Sequence, residues 1–210
     1  MFRFTSLLIS ACLLACLNTG CAPQDESAAP ALRGQVLDNP PYGRDFKLLD
    51  HNGQERSLQD FKGKVVVIFF GYTQCPDVCP ITLLELATAK KKLGPDGEKM
   101  QGIFITVDPT RDTPDVLKVY TESFDPTFLA LRPRSEQELA DLIRDFKVIS
   151  MREAAGPSGY YTISHSANSL VYDPQGRLRL NQTYHIGADA VAANVHALLH
   201  EGEKNNKPQG

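Results

Sequence analysis

Short apolar runs alternate with longer amphipathic segments along this chain, an order typical of an α/β domain. Residues 65–70 are apolar at every position, which predicts a strand buried on both faces. A second strand is predicted at residues 103–107, and hairpins are predicted at residues 46–53 and around residues 173–176. End signals and periodicity predict four helices, at residues 80–93, 114–123, 135–146 and 188–200. We therefore predict right-handed βαβ units in a central mixed β-sheet flanked by helices.

The first residues of the chain predict export. Arg3 supplies a short positive region, and residues 7–17 are largely apolar but too short for a membrane span of about 20 residues. We interpret residues 1–21 as a signal segment of the lipoprotein type. Cys21 is the favoured lipidation site, because a small residue precedes it and a polar stretch follows, and Cys16 is the alternative. Simple cleavage and an uncleaved anchor stay open, and all three place the domain at the periplasmic face of a bacterial membrane.

Composition indicates one domain without a nucleic-acid partner. Residues 22–40, rich in Ala, Pro and acidic side chains, are predicted to be a linker, residues 41–200 the domain, and residues 201–210 a polar tail. The formal net charge of −3 gives no basic excess that would attract nucleic acid. Of the five cysteines only two fall in the predicted domain, so no scaffold of several disulfides is expected.

Those two cysteines, Cys75 and Cys79, stand four positions apart directly after the apolar run at 65–70. A loop at this point lies at the carboxyl edge of the predicted strand, where open α/β sheets usually place their chemistry. We expect Cys79 at the N-terminus of the following helix, where the helix dipole favours a thiolate, and Pro80 at the first helical position. The simplest alternative for an exported protein is a structural disulfide between the two cysteines.

A third ligand would decide between a redox pair and a metal site, and His165 is the candidate. It lies in a polar segment just before a predicted strand that begins near residue 169. Two thiolates and one imidazole form a mixed sulfur and nitrogen set that suits copper in either oxidation state and can also hold zinc. The spacing by itself does not place His165 beside the two cysteines.

Other polar residues have simpler interpretations. Asp108 follows a predicted strand and could merely end it, and Asp112 with Thr113 indicates a helix cap ahead of Pro114. His196 and His200 share a face of the last predicted helix, and we interpret them as surface residues.

Three motifs together resemble the Sco/SenC family of thioredoxin-like copper proteins. They are Gly71-Tyr72-Thr73 with Cys75-Pro76-Asp77-Val78-Cys79-Pro80, then Val107-Asp108-Pro109-Thr110-Arg111-Asp112-Thr113-Pro114, then His165-Ser166. The resemblance covers roughly residues 40 to 200 and implies a thioredoxin-like fold. It also implies that Cys75, Cys79 and His165 bind copper, Cu(I) or Cu(II), with Asp108 as a nearby carboxylate. The chain departs from the family at Ser164, where an acidic residue often precedes the histidine.

The resemblance implies a copper metallochaperone that assists assembly of the binuclear copper site of cytochrome c oxidase. Its expected partners are the copper-site subunit of the oxidase, another copper chaperone or a thiol reductase, and the membrane through the lipid anchor. Two alternatives use the same thiols: a thiol:disulfide reductase that keeps the recipient cysteines reduced while cycling through a Cys75–Cys79 disulfide, or a copper or redox sensor.

Overall fold

A computed structural model describes residues 32–157 and 159–204, with side chains up to residue 201. The predicted signal segment with Cys16 and Cys21, most of the predicted linker and the end of the predicted tail lie outside the described residues. Within the described part of the chain, no helix is long and apolar enough to cross a bilayer.

The secondary structure alternates as the hydrophobic pattern predicts. The strands are β1 (Gln35–Val36), β2 (Leu48–Asp50), β3 (Glu55–Arg56), β4 (Val65–Gly71), β5 (Met100–Thr106), β6 (Leu129–Arg132), β7 (Ser150–Arg152), β8 (Ile163–His165), β9 (Ser169–Tyr172) and β10 (Leu178–Gln182). The α-helices are α1 (Val78–Lys92), α2 (Pro114–Glu122), α3 (Glu136–Asp145) and α4 (Ala188–Lys204), and two 3-10 helices occupy Leu58–Phe61 and Gly94–Lys99.

Eight strands form one mixed sheet in the order β1-β10-β9-β4-β5-β6-β2-β3. The central strands β4, β5 and β6 are parallel, and β9 runs antiparallel beside β4. Strands β7 and β8 form a separate antiparallel pair. The predicted mixed sheet and the two predicted hairpins, β2–β3 and β9–β10, are confirmed.

The core lies on both faces of the central strands, which explains the unbroken apolar run in β4. Phe69 of β4 is paired with Phe104 of β5, so these two rings share one face of the sheet, where Phe104 packs against Tyr120 of α2. Phe70 points to the other face, and its ring lies 5.4 Å from that of Phe146 at the end of α3. All seven residues of β4 are buried. The strand is therefore a rigid base for the loop that follows it.

The helix ends differ from the prediction in three places. Helix α1 begins at Val78, so Pro80 occupies its third position, where the missing N–H is still tolerated because the first turn has no intrahelical acceptor. The sequence Ser135-Glu136-Gln137-Glu138 predicts a capping box at the start of α3. Ser135 does cap the helix, but the carboxylate of Glu138 accepts a hydrogen bond from the backbone of Arg134 and not from the cap residue. Helix α4 continues through Lys204 into the predicted polar tail.

The sheet also begins earlier than residue 41. Gln35 and Val36, inside the predicted linker, pair with Asn181 and Leu180 of β10. This pairing is short and exposed, so the apolar pattern at residues 22–40 gives no sign of it. The N-terminal edge of the domain is therefore a strand that covers β10.

Candidate metal centre

The loop between β4 and α1 carries Cys75, and Cys79 follows it in the first turn of α1. Strand β4 ends at Gly71, and Cys79 is the second residue of α1. A β-carbon on Gly71 would lie 2.7 Å from Cys79 Sγ and 2.8 Å from the ring of Phe104. Only glycine leaves room for the sulfur at this point, so the residue that ends the strand also fixes the depth of Cys79.

The structure brings the three predicted ligands together. The ligand atoms of Cys75, Cys79 and His165 all lie within 4.8 Å of one another, and Cys79 Sγ is 3.4 Å from His165 Nε2. Cys79 is completely buried, Cys75 is 9% exposed and His165 is half-buried. The cluster therefore has a closed side at Cys79 and an open side at the other two residues.

The imidazole of His165 is held with Nε2 towards the thiols. Its Nδ1–H donates a hydrogen bond to the backbone carbonyl of Ser166 at 3.0 Å, which leaves Nε2 as the nitrogen with a free lone pair. The rings of Phe69 and Tyr72 lie 5.9 Å and 5.8 Å away and meet the imidazole edge to face. Ser164, which replaces an acidic residue of the family pattern, instead donates to the carboxylate of Glu153. A backbone carbonyl thus orients the imidazole here.

The two thiols have opposite electrostatic surroundings. Hydrogen bonding from the Cys79 thiol, helped by His165 and by the backbone N–H groups of Asp77 and Cys79, lowers the pKa of Cys75 to about 3. Contact with the Cys75 thiolate and burial raise the pKa of Cys79 well above its usual value. The thiolate is therefore favoured at Cys75 and not at Cys79, where the sequence predicts it, because the Cys79 thiol and, after it, the amides of Asp77 and Cys79 donate to the Cys75 sulfur. At neutral pH the pair holds one thiolate and one thiol.

Asp108 lies beside the cluster in an ion pair. It is completely buried, pairs with the guanidinium of Arg111 and accepts a hydrogen bond from the hydroxyl of Tyr161 at 2.9 Å. Arg111 also donates to Gln74 at 3.1 Å and to the carbonyl of Tyr161 at 2.9 Å, and it stacks 3.6 Å above the ring of Tyr161. Through Arg111, Asp108 joins the loop that carries Cys75 to the segment that precedes the histidine. A direct effect of Asp108 on bound metal stays a prediction.

Asp112 does not cap α2 but links the cysteine loop to the end of β5. Thr113 is the cap of α2, and its side chain accepts from the backbone of Val116. Asp112 instead points inward, where its carboxylate accepts from the Thr73 hydroxyl at 2.6 Å and from the Thr106 hydroxyl at 2.5 Å. Burial raises the pKa of Asp112. The carboxylate fixes the start of the cysteine loop to the end of β5, and only a long-range contact reveals this.

Both cysteines are free thiols in the structure. The predicted Cys75–Cys79 disulfide therefore stays a prediction. As free thiols beside an imidazole, the three side chains form a soft donor set for a thiophilic cation, and without a metal they form a polarised thiol pair.

Comparison with known proteins agrees with this geometry. The sequence profile of the SCO1/SenC family matches residues 34–200. The chain belongs to the SCO1/SenC family. The SCO2-like protein of Rickettsia felis is 36% identical over 150 residues, which cover 70% of this chain and 73% of that protein.

Solved structures of SCO1/SenC proteins superpose on this chain. Bradyrhizobium japonicum ScoI, determined with copper bound, has a TM-score of 0.68 at 36% identity and covers 76% of this chain and 99% of its own. Apo Sco1 of Thermus thermophilus has a TM-score of 0.70 at 38% identity and covers 80% of this chain and 97% of its own. The predicted family and the thioredoxin-like α/β fold are confirmed.

Proposed function

We propose that this SCO1/SenC protein is a copper metallochaperone that binds one copper ion through Cys75, Cys79 and His165. The observation that carries the proposal is the convergence of the three ligand atoms within 4.8 Å, on a fold shared with a copper-bound relative. The recipient we propose is the copper-site subunit of cytochrome c oxidase, which is the assembly role that the family resemblance implies.

The thiol electrostatics suit loading with Cu(I). The Cys75 thiolate is ready to accept a soft cation, because its pKa is far below neutral. Cys79 must lose its proton to become the second ligand, so loading releases one proton to solvent. Two thiolates and one imidazole then leave a position for a ligand from the recipient, and the ion passes on by ligand exchange.

Access to the ion would be from the Cys75 side. Cys79 has no exposed surface, whereas Gln74, Pro76 and Asp77 around Cys75 are exposed. The side chain of Tyr160, 48% exposed, borders the same loop and donates to the carbonyl of Gln74 at 3.3 Å. We therefore expect the recipient to contact this loop and to replace Cys75 first, with the deeper ligand Cys79 released last.

The same thiol pair also suits a thiol:disulfide reductase, which is the second candidate function. The Cys75 thiolate would attack a disulfide of the recipient and form a mixed disulfide, with one recipient thiolate leaving. Cys79 would then lose its proton and attack Cys75, which releases the second recipient thiol and leaves the Cys75–Cys79 disulfide. Another thiol reductase would return this disulfide to the dithiol. His165 helps to lower the pKa of Cys75 but takes no part in the bond exchange, so its loss should slow these steps without stopping them.

His165→Ala therefore separates the two functions. For a metallochaperone we expect loss of Cu(II) binding, weaker Cu(I) binding in an anaerobic titration, and low copper content in the oxidase of cells that carry the variant. Cys75→Ser should fail in both functions, and His185→Ala, an exposed histidine paired with Glu85, is the matched control. If oxidase assembles normally with His165→Ala while Cys75→Ser fails, the reductase function stands and copper delivery is wrong.

We further propose that the domain is anchored outside the cytoplasm by a lipid on Cys21, with Cys16 as the alternative. The support is the short apolar segment and the polar stretch that follows Cys21. Labelled fatty acid should appear on the mature protein, and Cys21→Ser should release an unlabelled domain into the soluble exported fraction. Label that persists in Cys21→Ser and disappears in Cys16→Ser would move the site upstream.

A further inference from the structure

A second group of metal-ligating side chains lies at the other end of α1. Asp96 belongs to the 3-10 helix Gly94–Lys99 that follows α1, and His196 and His200 lie one turn apart on α4. Cys79 and Lys92 are thirteen residues apart on α1, which corresponds to roughly 20 Å along the helix axis at 1.5 Å per residue. This cluster is therefore well separated from the Cys75–Cys79–His165 centre.

The three side chains converge on one point. His200 Nε2 lies 2.8 Å and His196 Nδ1 lies 3.3 Å from the same oxygen of Asp96, Oδ2. The two imidazole rings have centroids 4.4 Å apart, and one ligand atom from each residue falls within 4.8 Å of the others. His200 and Asp96 are each about a quarter exposed at the side chain, and His196 is 57% exposed. The sequence interpretation of both histidines as surface residues does not include the carboxylate that the turn after α1 places between them.

The donors differ in kind from those of the cysteine centre. Two imidazole nitrogens and one carboxylate oxygen, without sulfur, suit divalent cations of the borderline class and do not suit Cu(I). Three protein ligands on the surface also leave the fourth tetrahedral position of zinc for water. The side chains are already in contact, so a cation would displace the two imidazole protons that face Asp96 and draw the three donors around itself. Each displaced proton moves to the other nitrogen of its ring or leaves to solvent.

One neighbouring charge opposes a cation at this point. Lys99 Nζ lies 3.4 Å from the other carboxylate oxygen of Asp96, Oδ1. The Lys99 side chain is 56% exposed, so it can swing into solvent at little cost. Oδ2, which both histidines face, is left for the metal. Lys99 is therefore expected to weaken binding without preventing it.

We propose that Asp96, His196 and His200 form a second metal site, which binds a divalent first-row cation such as Zn(II) or Cu(II). Zn(II) is the probe of choice because it is redox-inert and has no preferred geometry to satisfy. Binding ties α4 to the turn that ends α1. By linkage, the cation raises the melting temperature of the protein, and this rise grows with the logarithm of the free cation concentration once that concentration exceeds the Kd.

The test uses the full-length chain with Cys75→Ser, Cys79→Ser and His165→Ala, so its result does not depend on the proposed copper delivery. Titration with Zn(II) against a chelating indicator should find a site that weakens at least tenfold when His196→Gln or His200→Gln is added. His185→Gln, which removes an exposed histidine paired with Glu85, should leave the affinity unchanged. X-ray absorption of the zinc complex should show nitrogen and oxygen ligands at this site, and these ligands should be lost in the His196→Gln variant.

Two further variants distinguish a metal site from a simple hydrogen-bonded cluster. Asp96→Asn keeps an acceptor for both imidazoles but removes the anionic ligand, so zinc affinity should fall at least tenfold while the melting temperature in chelator changes little. Lys99→Gln should tighten zinc binding severalfold, because it removes the competing cation. Equal zinc affinity in the parent and in the His196→Gln and His200→Gln variants, each shown to be folded by circular dichroism, would overturn the proposal.

Discussion

Gly71 sets the depth of the metal centre by being too small to collide with it. The sulfur of Cys79 and the ring of Phe104 occupy the space where any larger residue would place its β-carbon. Because both neighbours are fully buried, neither can move away freely. The position of the deepest ligand therefore depends on a residue that has no chemistry of its own.

Gly71→Ala should consequently reduce copper affinity at least tenfold and lower the free energy of unfolding by about 1–3 kcal/mol, because overpacking displaces the sulfur. Gly102→Ala is the matched control. Its β-carbon would lie 2.7 Å from the Phe128 ring, so it overpacks the same sheet at a position that does not contact Cys79. Urea unfolding and Cu(I) competition titrations on both variants measure the two effects. Equal copper affinity in the two variants would show that the crowding at Gly71 does not position the ligand.

Cys75 should be the reactive thiol of the reduced protein. Its pKa is lowered to about 3, so it is a thiolate at every pH above that value and loses this form only on acidification. We expect the alkylation rate of Cys75 to be the same at about pH 5 and pH 8. An ordinary cysteine with a pKa near 8.5 would react more than a hundredfold faster at pH 8 than at pH 5. In Cys79→Ala the main cause of the lowered pKa is absent, and the rate should again rise with pH. Mass spectrometry of the alkylated peptides checks both, and a pH-dependent rate in the unsubstituted chain contradicts the assignment.

At the scale of elements, three loops at one edge of the sheet build the centre. The β4–α1 loop supplies Cys75 and leads to Cys79 in α1, and the β5–α2 loop supplies Asp108, Arg111 and Asp112. The segment before β8 supplies Tyr161 and leads to His165. Asp112 links the β5–α2 loop to the β4–α1 loop through Thr73. Arg111 links both of these loops to the segment before β8. The cysteine and histidine ligands are therefore kept close by polar contacts between loops.

Arg111→Met should loosen this arrangement. Asp108 has no exposed surface and Arg111 retains only 16%, so removing the guanidinium leaves the buried carboxylate with only the Tyr161 hydroxyl at 2.9 Å and the more distant Arg152 at 3.8 Å. We expect a loss of about 2–4 kcal/mol in the free energy of unfolding and a weaker copper site. Arg144→Met is the control, since it removes an exposed pair with Asp141 and should cost at most about 0.5 kcal/mol. Urea denaturation gives both values, and equal losses in the two variants would show that the Arg111 pair is no more than a surface contact.

How much the sequence predicts depends on the range of the interaction. The strand at residues 65–70, the turn of the β2–β3 hairpin and the Thr113 cap rest on local patterns, and these predictions are confirmed. The ligand set followed from motif order, since no local rule brings His165 to a cysteine 86 residues earlier in the chain. Tertiary contacts decide that the Asp112 carboxylate points inward and that Cys75, not Cys79, is the ionised thiol. Neither periodicity nor spacing encodes these contacts.

At the scale of the whole molecule, the chain enters the domain away from the metal centre. Strand β1 lies at the edge of the sheet, three strands from β4, which corresponds to about 14 Å at the usual spacing between strands. Before β1, the backbone of Arg33 is held by Asn194 of α4, whose side chain accepts from its N–H and donates to its carbonyl, each at 2.7 Å. The described chain therefore enters the domain at β1 and α4, three strands away from the strand that leads to the cysteine loop.

Asn194 should control how firmly this entry segment is attached. Asn194→Ala removes both hydrogen bonds to Arg33, whose backbone is exposed enough to be satisfied by water, so the expected cost is only about 1–2 kcal/mol. The larger effect should be local opening, seen as trypsin cleavage after Arg33 that is at least fivefold faster than in the unsubstituted chain while copper affinity is unchanged. Asn52→Ala, which removes an exposed asparagine at the β2–β3 turn, should leave the cleavage rate as it is. Equal cleavage rates in the two variants would mean that the pairing of β1 with β10 alone holds the segment around Arg33. A loss of copper affinity in Asn194→Ala would mean that this segment and the metal centre are coupled.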